Sequence, residues 1–248
     1  MDAESAARAL LEARRTGRRI DGLPADARPA GDHESYAIQD AQLRTLGAVG
    51  GWKVGAKTPD SEPNCAALPA SLIHASPQRF APRQFPLQLV EAEIGFRLGR
   101  DLPAGAAPYA EPDLVHAIAS VHATIEVLDS RFTDFRAVEP ASALADFGTN
   151  GALVVGPGRT SDLRVQSTEL RLTVYCDDRI ALEKTGGNTA GDVFRLLVWL
   201  ANHATRRRGG LRAGEIVTTG SCIGAYHIAP GTRFKAVFDG IPPVEATV

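Results

Sequence analysis

The chain has 248 residues, 44% of them hydrophobic and 23% charged, which is enough for one globular core with a small extension. Lys plus Arg number 27 and Asp plus Glu 29, a formal charge of −2, so the basic excess that nucleic-acid binding needs is missing. No apolar run approaches the roughly 20 residues of a membrane span, and "MDAESAARALLEARRTGRRI" lacks the apolar core of an export signal, so a soluble cytoplasmic protein is expected.

Residues Ala3 to Arg15, rich in Ala, Leu, Glu and Arg, predict a helix. A second begins near Asp32, a suitable N-cap, and carries Tyr36, Leu43 and Leu46 toward the next glycines. Between them "GLPADARPAG" is a Pro/Gly loop. Residues 1–49 are therefore expected to form a helical extension, and 50–248 a strand-dominated domain. Its short runs include "GWKVG", "LVEAEIGFRL", "TIEVLDS", "GALVVG", "EIVTTGS" and "RFKAVFDG". "TELRLTVYCDDRIALEK" alternates as two antiparallel strands around a turn at Asp177 and Asp178. Two helices interrupt the strands, one near Pro112 to Val121 and one over about Thr189 to Arg207, with Phe194, Leu197, Val198 and Ala201 as its apolar face. Arg206, Arg207 and Arg208 followed by Gly209 and Gly210 read as a solvated helix end. The strand pattern alone gives a β-rich α+β fold.

The absent motifs narrow the chemistry. There is no GxxxxGK[ST], no GxGxxG after a strand, no GxSxG and no HExxH. Cys65, Cys176 and Cys222 form no CxxC, which suits a reducing compartment better than a disulfide framework. The six histidines are scattered, and His116 and His122 read as structural.

"LVEAEIGFRLGRDLP" is the unusual stretch. Strand side chains alternate faces, so Glu91 and Glu93 project to the same side while Ala92 and Ile94 point to the other. Alone, an EAE triplet is the ordinary solvated face of an antiparallel strand. "HATIEVLDSRF" changes that reading, because Glu126 sits between Ile125 and Val127, residues suited to a buried strand. Three carboxylates converging from two strands make a site for a hard divalent cation, Mg²⁺ or Mn²⁺. Asp129 is a rival third ligand, but in an unbroken strand it faces away from Glu126, and Arg131 offers it a partner.

The ordered set "GWKVG", "EAEIGFRLGRDLP", "IEVLDSRFTDF", "GTNGALVVG", "GNTAGDVFRLLVWLAN" and "LRAGEIVTTGSCIGA" resembles the 2-oxopent-4-enoate (2-hydroxypentadienoate) hydratases and 4-oxalocrotonate decarboxylases of the fumarylacetoacetate hydrolase superfamily. The resemblance implies an α+β fold in which N-terminal helices precede a mixed, curved β-sheet roll. It implies Glu91, Glu93 and Glu126 as metal ligands, Lys53 as an active-site lysine, and Thr149, Asn150 and Ser221 as residues lining the substrate pocket. It also implies a small 2-oxo acid substrate, Mg²⁺ or Mn²⁺ as cofactor, and a homo-oligomer. Two departures stand out: Phe147 follows Asp146 where the family usually has "DN", and Asn64 in "EPNCAALPASL" stands where an acid is usual. Hydration of a 2-hydroxy-2,4-dienoate is the leading expectation. Decarboxylation, or a binding protein that has lost part of its chemistry, are the alternatives, and a hydrolase ranks behind them for want of a His-bearing dyad.

Overall fold

The computed structural model describes residues 1–248. The chain opens with α1 (Ala3–Thr16), α2 (Asp32–Leu46), β1 (Val49–Gly55), β2 (Asn64–Pro69), β3 (Ile73–Ala75) and β4 (Gln78–Arg79). The middle runs through β5 (Leu89–Leu98), β6 (Leu102–Pro103), α3 (Glu111–Ala117), β7 (Ile118–Leu128), α4 (Pro140–Ala145) and β8 (Asn150–Arg159). It ends with β9 (Arg171–Cys176), β10 (Arg179–Thr185), α5 (Val193–Arg208), β11 (Gly210–Leu211), β12 (Ile216–Ser221), β13 (Tyr226–His227), β14 (Arg233–Phe238) and β15 (Val244–Thr247).

The largest sheet has the order β2-β1-β12-β5-β7-β8-β3, with β13 added to β5. It is mixed: β1 runs parallel to β12 and β3 parallel to β8, while β5 is antiparallel to both β12 and β7. The sheet curls until its ends meet. Leu68 of β2 and Leu153 and Val155 of β8 lie near opposite ends of the strand order, yet they share one small buried cluster with Ile216. Close approach within the curl requires glycine at position 51, where a Cβ would lie 2.4 Å from the Ile216 carbonyl oxygen. A second sheet, β10-β9-β14-β15-β4, and α5 cover the other side. The α+β roll expected from the resemblance is the fold observed, and no helix is long and apolar enough to cross a membrane.

Alternation along β5 and β7 accounts for this layering. Val90, Ala92, Ile94 and Phe96, with Ala123, Ile125 and Val127, enter the main core, and the intervening residues face the inside of the curl. The α5 helix seals that core with Phe194, Leu197 and Ala201, as its apolar face predicts, and also with Leu196 and Leu200, while Val198 is only partly buried. Burying each leucine contributes about 1.5–3 kcal/mol. Asp192 caps the helix by accepting from the Phe194 N–H, and Phe96 meets Phe194 edge to face with ring centroids 5.4 Å apart.

Several local expectations shift. The helix near Pro112 ends at Ala117 rather than Val121, because Ile118 turns extended and pairs with Leu98. The second helix begins at Asp32 itself, with Gly31 as its cap, and α5 starts at Val193, after the predicted Thr189. The Arg206–Arg208 end is not simply solvated. Arg207 Nη2 pairs with Asp40 Oδ1 at 2.8 Å and stacks over Tyr36, and Arg208 also reaches Asp40, so the arginines fasten α5 to α2. The hairpin holds, with β9 and β10 joined at Asp177 and Asp178.

Candidate active site

Strand register assembles the acidic cluster. Glu91 stands directly opposite Glu126, and Glu93 opposite Thr124, in the antiparallel β5–β7 pair. The ligand oxygens of Glu91, Glu93 and Glu126 all lie within 4.8 Å of one another, with Glu93 and Glu126 fully buried. Lys53 arrives from β1, whose register places it beside Thr218 of β12. Lys53 Nζ donates to Glu126 Oε1 at 2.6 Å and to the Gly148 carbonyl at 2.9 Å. That carbonyl is presented by an unusual turn, since Phe147, Gly148 and Thr149 all have positive φ, of 51°, 60° and 67°. Two non-glycine residues in that region store roughly 1–3 kcal/mol each, which the surrounding packing must offset.

Each buried carboxylate is half satisfied. Glu126 Oε1 accepts from Lys53 and, at 2.8 Å, from Asn150 Nδ2. Glu93 Oε2 accepts from the Thr218 hydroxyl and, at 3.0 Å, from the Gly220 N–H. Glu93 Oε1 and Glu126 Oε2 are buried without any partner. Leaving a buried acceptor unpaired costs about 1–3 kcal/mol, more when it is charged. Two such oxygens beside a third carboxylate form an all-oxygen donor set that fits a hard divalent cation.

The electrostatics agree. Burial raises the Glu91 carboxyl to about 7, reinforced by Glu126 and opposed by Lys53. Burial, Glu126 and Glu91 together push Glu93 well above the usual carboxylate range. Burial alone would lower the Lys53 ammonium, but Glu126, Glu91 and Glu93 overcome it, and the group is raised.

A cavity of about 170 Å³ lies over this cluster, walled by Cys65, Ala66, Leu144 and Gly148. Asn64 lines it as well, whereas Phe147 is wholly buried away from it. Among the predicted site residues the fold joins Lys53, Glu91, Glu93, Glu126 and Asn150. Thr149 and Ser221 do not line the cavity, and the Ser221 hydroxyl donates to the Gly224 carbonyl in a local turn. Asp129 lies outside the cluster and pairs with Arg19 at 2.8 Å. Arg131 does partner Asp129, at 3.7 Å between charged groups and through a 2.8 Å bond from Nη2 to the Asp129 carbonyl, but its tighter grip is on Asp146 at 2.5 Å.

Sequence reasoning overlooked Thr218, Gly148 and Asn188. Thr218 holds Glu93 and also bonds Thr124 Oγ1 at 2.8 Å, and Asn188 pins the turn beside it by donating to the Thr219 and Gly220 carbonyls. Alternation in "EIVTTGS" aligns Thr218 with the buried face, and that was the available signal for it. Gly148 acts through its carbonyl, which leaves no mark in residue type.

A curled mixed sheet carrying a buried carboxylate triad and a lysine defines a narrow class of α+β proteins. The family described as fumarylacetoacetate (FAA) hydrolase C-terminal matches residues 41–248, and the chain belongs to that family. The chain is 30% identical to a 2-keto-4-pentenoate hydratase of Burkholderia vietnamiensis over 98% of its own length and 96% of the relative's. It is 29% identical to 2-keto-4-pentenoate hydratase 1 of Dechloromonas aromatica, covering 99% and 97%. Its fold matches that of 4-oxalocrotonate decarboxylase from Pseudomonas putida G7, complexed with magnesium and adipate, with a TM-score of 0.85, 21% identity and coverage of 99% and 96%.

Proposed function

We propose that the protein is a divalent-metal-dependent hydro-lyase that adds water to a 2-hydroxy-2,4-dienoate or its 2-oxo-4-enoate tautomer. The observation that carries this reading is the pair of buried, unpartnered oxygens, Glu93 Oε1 and Glu126 Oε2, facing Glu91 beside a lysine. Near-full-length similarity to 2-keto-4-pentenoate hydratases supports the choice of reaction. In this reading residues 1–49 are a helical extension and 50–248 carry the chemistry.

Glu91, Glu93 and Glu126 would hold Mg²⁺ or Mn²⁺, which when bound would supply positive charge where enolate character develops on the substrate. The Lys53 ammonium, fixed by Glu126 and Gly148, keeps its proton near neutral pH and holds the substrate carboxylate or delivers a proton to the carbon skeleton. Protonation at C5 with loss of the C2 hydroxyl proton ketonises the dienol and leaves a C3–C4 double bond conjugated with the C2 carbonyl; water then adds, its oxygen at C4 and a proton at C3. Asn150 orients Glu126, and Thr218 with Gly220 orients Glu93, so both carboxylates are set before substrate arrives. Cys65, Ala66 and Leu144 provide an apolar wall suited to a short carbon chain. Assembly as a homo-oligomer belongs to the same reading.

Decarboxylation of a 2-oxo acid is the second reading, favoured by the matching fold of the decarboxylase and by Asn64 at the cavity, where an acid is usual. Incubating the purified protein with Mg²⁺ or Mn²⁺ and 2-hydroxypentadienoate, then weighing the product, separates the two. Mass gain by one water with loss of dienoate absorbance is expected, and Glu93→Gln abolishes it. Loss of carbon dioxide from a panel of 2-oxo acids, without hydration, selects the second reading. No turnover, no cation binding and no effect of Glu93→Gln would overturn both.

A further inference from the structure

A second cavity, of about 360 Å³, lies where the end of α1 meets the ends of β7 and β8, lined among others by Arg14, Arg19, His74, Phe85, Asp129 and Arg131. It shares no lining residue with the cavity over the glutamates. Its size is in the range of small-molecule sites, roughly 300–1,000 Å³.

The charges around it do not cancel. Arg131 is committed to Asp146, through Nε at 2.5 Å and its own backbone N–H at 2.9 Å. Arg19 is committed to Asp129 at 2.8 Å. Arg14 is left over. Its one hydrogen bond is long, from Nη2 to the Asn150 carbonyl at 3.5 Å, and its Nε is buried with no partner. The guanidinium rests 5.9 Å from the Phe147 ring centroid and pairs with no carboxylate at salt-bridge distance. Burial and the adjacent Arg131 push Arg14 down to about 10, outweighing the opposite pull of Asp146 and Asp129, whose charges are already shared with Arg131 and Arg19. A buried charge without a counter-ion is costly, and a planar fork of donors is best satisfied by a planar carboxylate taken in two parallel hydrogen bonds.

We propose that this second cavity binds a small organic carboxylate, gripped by the Arg14 guanidinium, with its short carbon chain against Phe85 and Leu72. The site has its own lining, separate from that of the acidic cluster, which it meets only behind the cavity, where Arg14 donates to the Asn150 carbonyl. Geometry rather than net charge selects the ligand class: one free guanidinium fits one carboxylate, and the apolar wall favours a carbon chain over an inorganic oxyanion.

Calorimetric titration of the full-length, chelator-treated protein at constant ionic strength tests it, with succinate, acetate and inorganic phosphate as probes and chloride as control. Saturable succinate binding at one site per chain is expected. Arg14→Gln should weaken it at least tenfold. Ser71→Glu, which adds a negative charge at an exposed position on the cavity rim, should weaken it several-fold. Lys53→Met, at the acidic site, should leave it unchanged. Absence of succinate binding overturns the proposal, as does phosphate binding without succinate. Binding that survives Arg14→Gln, or that disappears with Lys53→Met, also overturns it. If Arg14→Gln does not fold, Ser71→Glu decides the matter, since its position is exposed.

Discussion

Glu91, Glu93 and Glu126 lie within 4.8 Å of one another with a single ammonium, Lys53, to compensate them. The consequence for stability has a definite sign. Glu91 has an ordinary value of 4.5 and rises to about 7 in the folded protein, chiefly through burial and then through Glu126. Between those values the native chain holds a proton that the unfolded chain releases. The stabilisation is therefore fully present below pH 4.5 and is lost as pH rises through 7. At about 1.4 kcal/mol per unit the full shift corresponds to roughly 3 kcal/mol. Partial solvent access and coupling to Glu93 reduce that to about 2 kcal/mol. For a chain of this size that is on the order of 4–8 °C in Tm. Glu93 shifts in the same direction. Urea unfolding of the chelated protein at pH 5 and pH 7.5 should show wild type losing about 2 kcal/mol more than Glu91→Gln on going to the higher pH. Adding Mg²⁺ or Mn²⁺ at pH 7.5 should restore wild type but not the variant, by about 2.7 kcal/mol at a hundred times Kd. Equal pH dependence in wild type and Glu91→Gln would refute the assignment of strain to this cluster.

Three further outcomes follow from the same geometry. Lys53→Met should keep the fold, by circular dichroism and Tm, while lowering kcat/KM for dienoate hydration by about 10²–10⁴-fold, the usual range for losing a positioned acid or base. Asn150→Ala removes one of the two donors to Glu126 Oε1 and should weaken cation binding about 10–100-fold, measured by calorimetry, as loss of an orienting partner does elsewhere. Arg131→Met strands Asp146, whose side chain is 1% exposed, and should destabilise the protein by about 3–5 kcal/mol in urea unfolding; Arg131→Met paired with Asp146→Leu should recover much of that loss.

Much of this site is visible in the sequence because strand alternation is local. Glu91 and Glu93 had to share a face, and Glu126 between β-branched residues had to be buried in a second strand. What brings Lys53 to them is not local. It depends on β1 pairing in parallel with β12 across more than half the chain, and on a turn at Phe147–Thr149 that aims a backbone carbonyl. Neither leaves a pattern of residue types. The boundary of α3 was misplaced for a related reason, since Ile118 and Val121 suit a helix face as well as a strand, and only pairing with β5 decides between them. The Asp129–Arg131 partnership is legible because it is local, whereas the shorter pairs, Arg19 with Asp129 across 110 residues and Arg131 with Asp146, depend on the fold.

The two departures from the family pattern separate cleanly once the chain is folded. The side chain of Asp146, the first residue of the altered "DN" pair, accepts two hydrogen bonds from Arg131, from its backbone N–H and its Nε, and a third from the Ser130 hydroxyl. Phe147 is fully buried, does not line the cavity over the glutamates, and lies beneath Arg14 of the second cavity. An asparagine there would lose the aromatic face beside Arg14 without lining the cavity over the glutamates, so the side chain at 147 bears on the arginine-lined cavity, while its backbone belongs to the turn that presents the Gly148 carbonyl to Lys53. Asn64 is the opposite case. It is exposed at the start of β2, lines the cavity over Glu91, Glu93 and Glu126, and stands across from Gly55 in the sheet. A neutral amide at that position can hydrogen-bond a substrate oxygen but cannot take up a proton near neutral pH. A proton moved by an acid at this position would have to be carried in this chain by another group, and Lys53, which lines the same cavity with its Nζ 2.6 Å from Glu126 Oε1, is the proton-bearing side chain there.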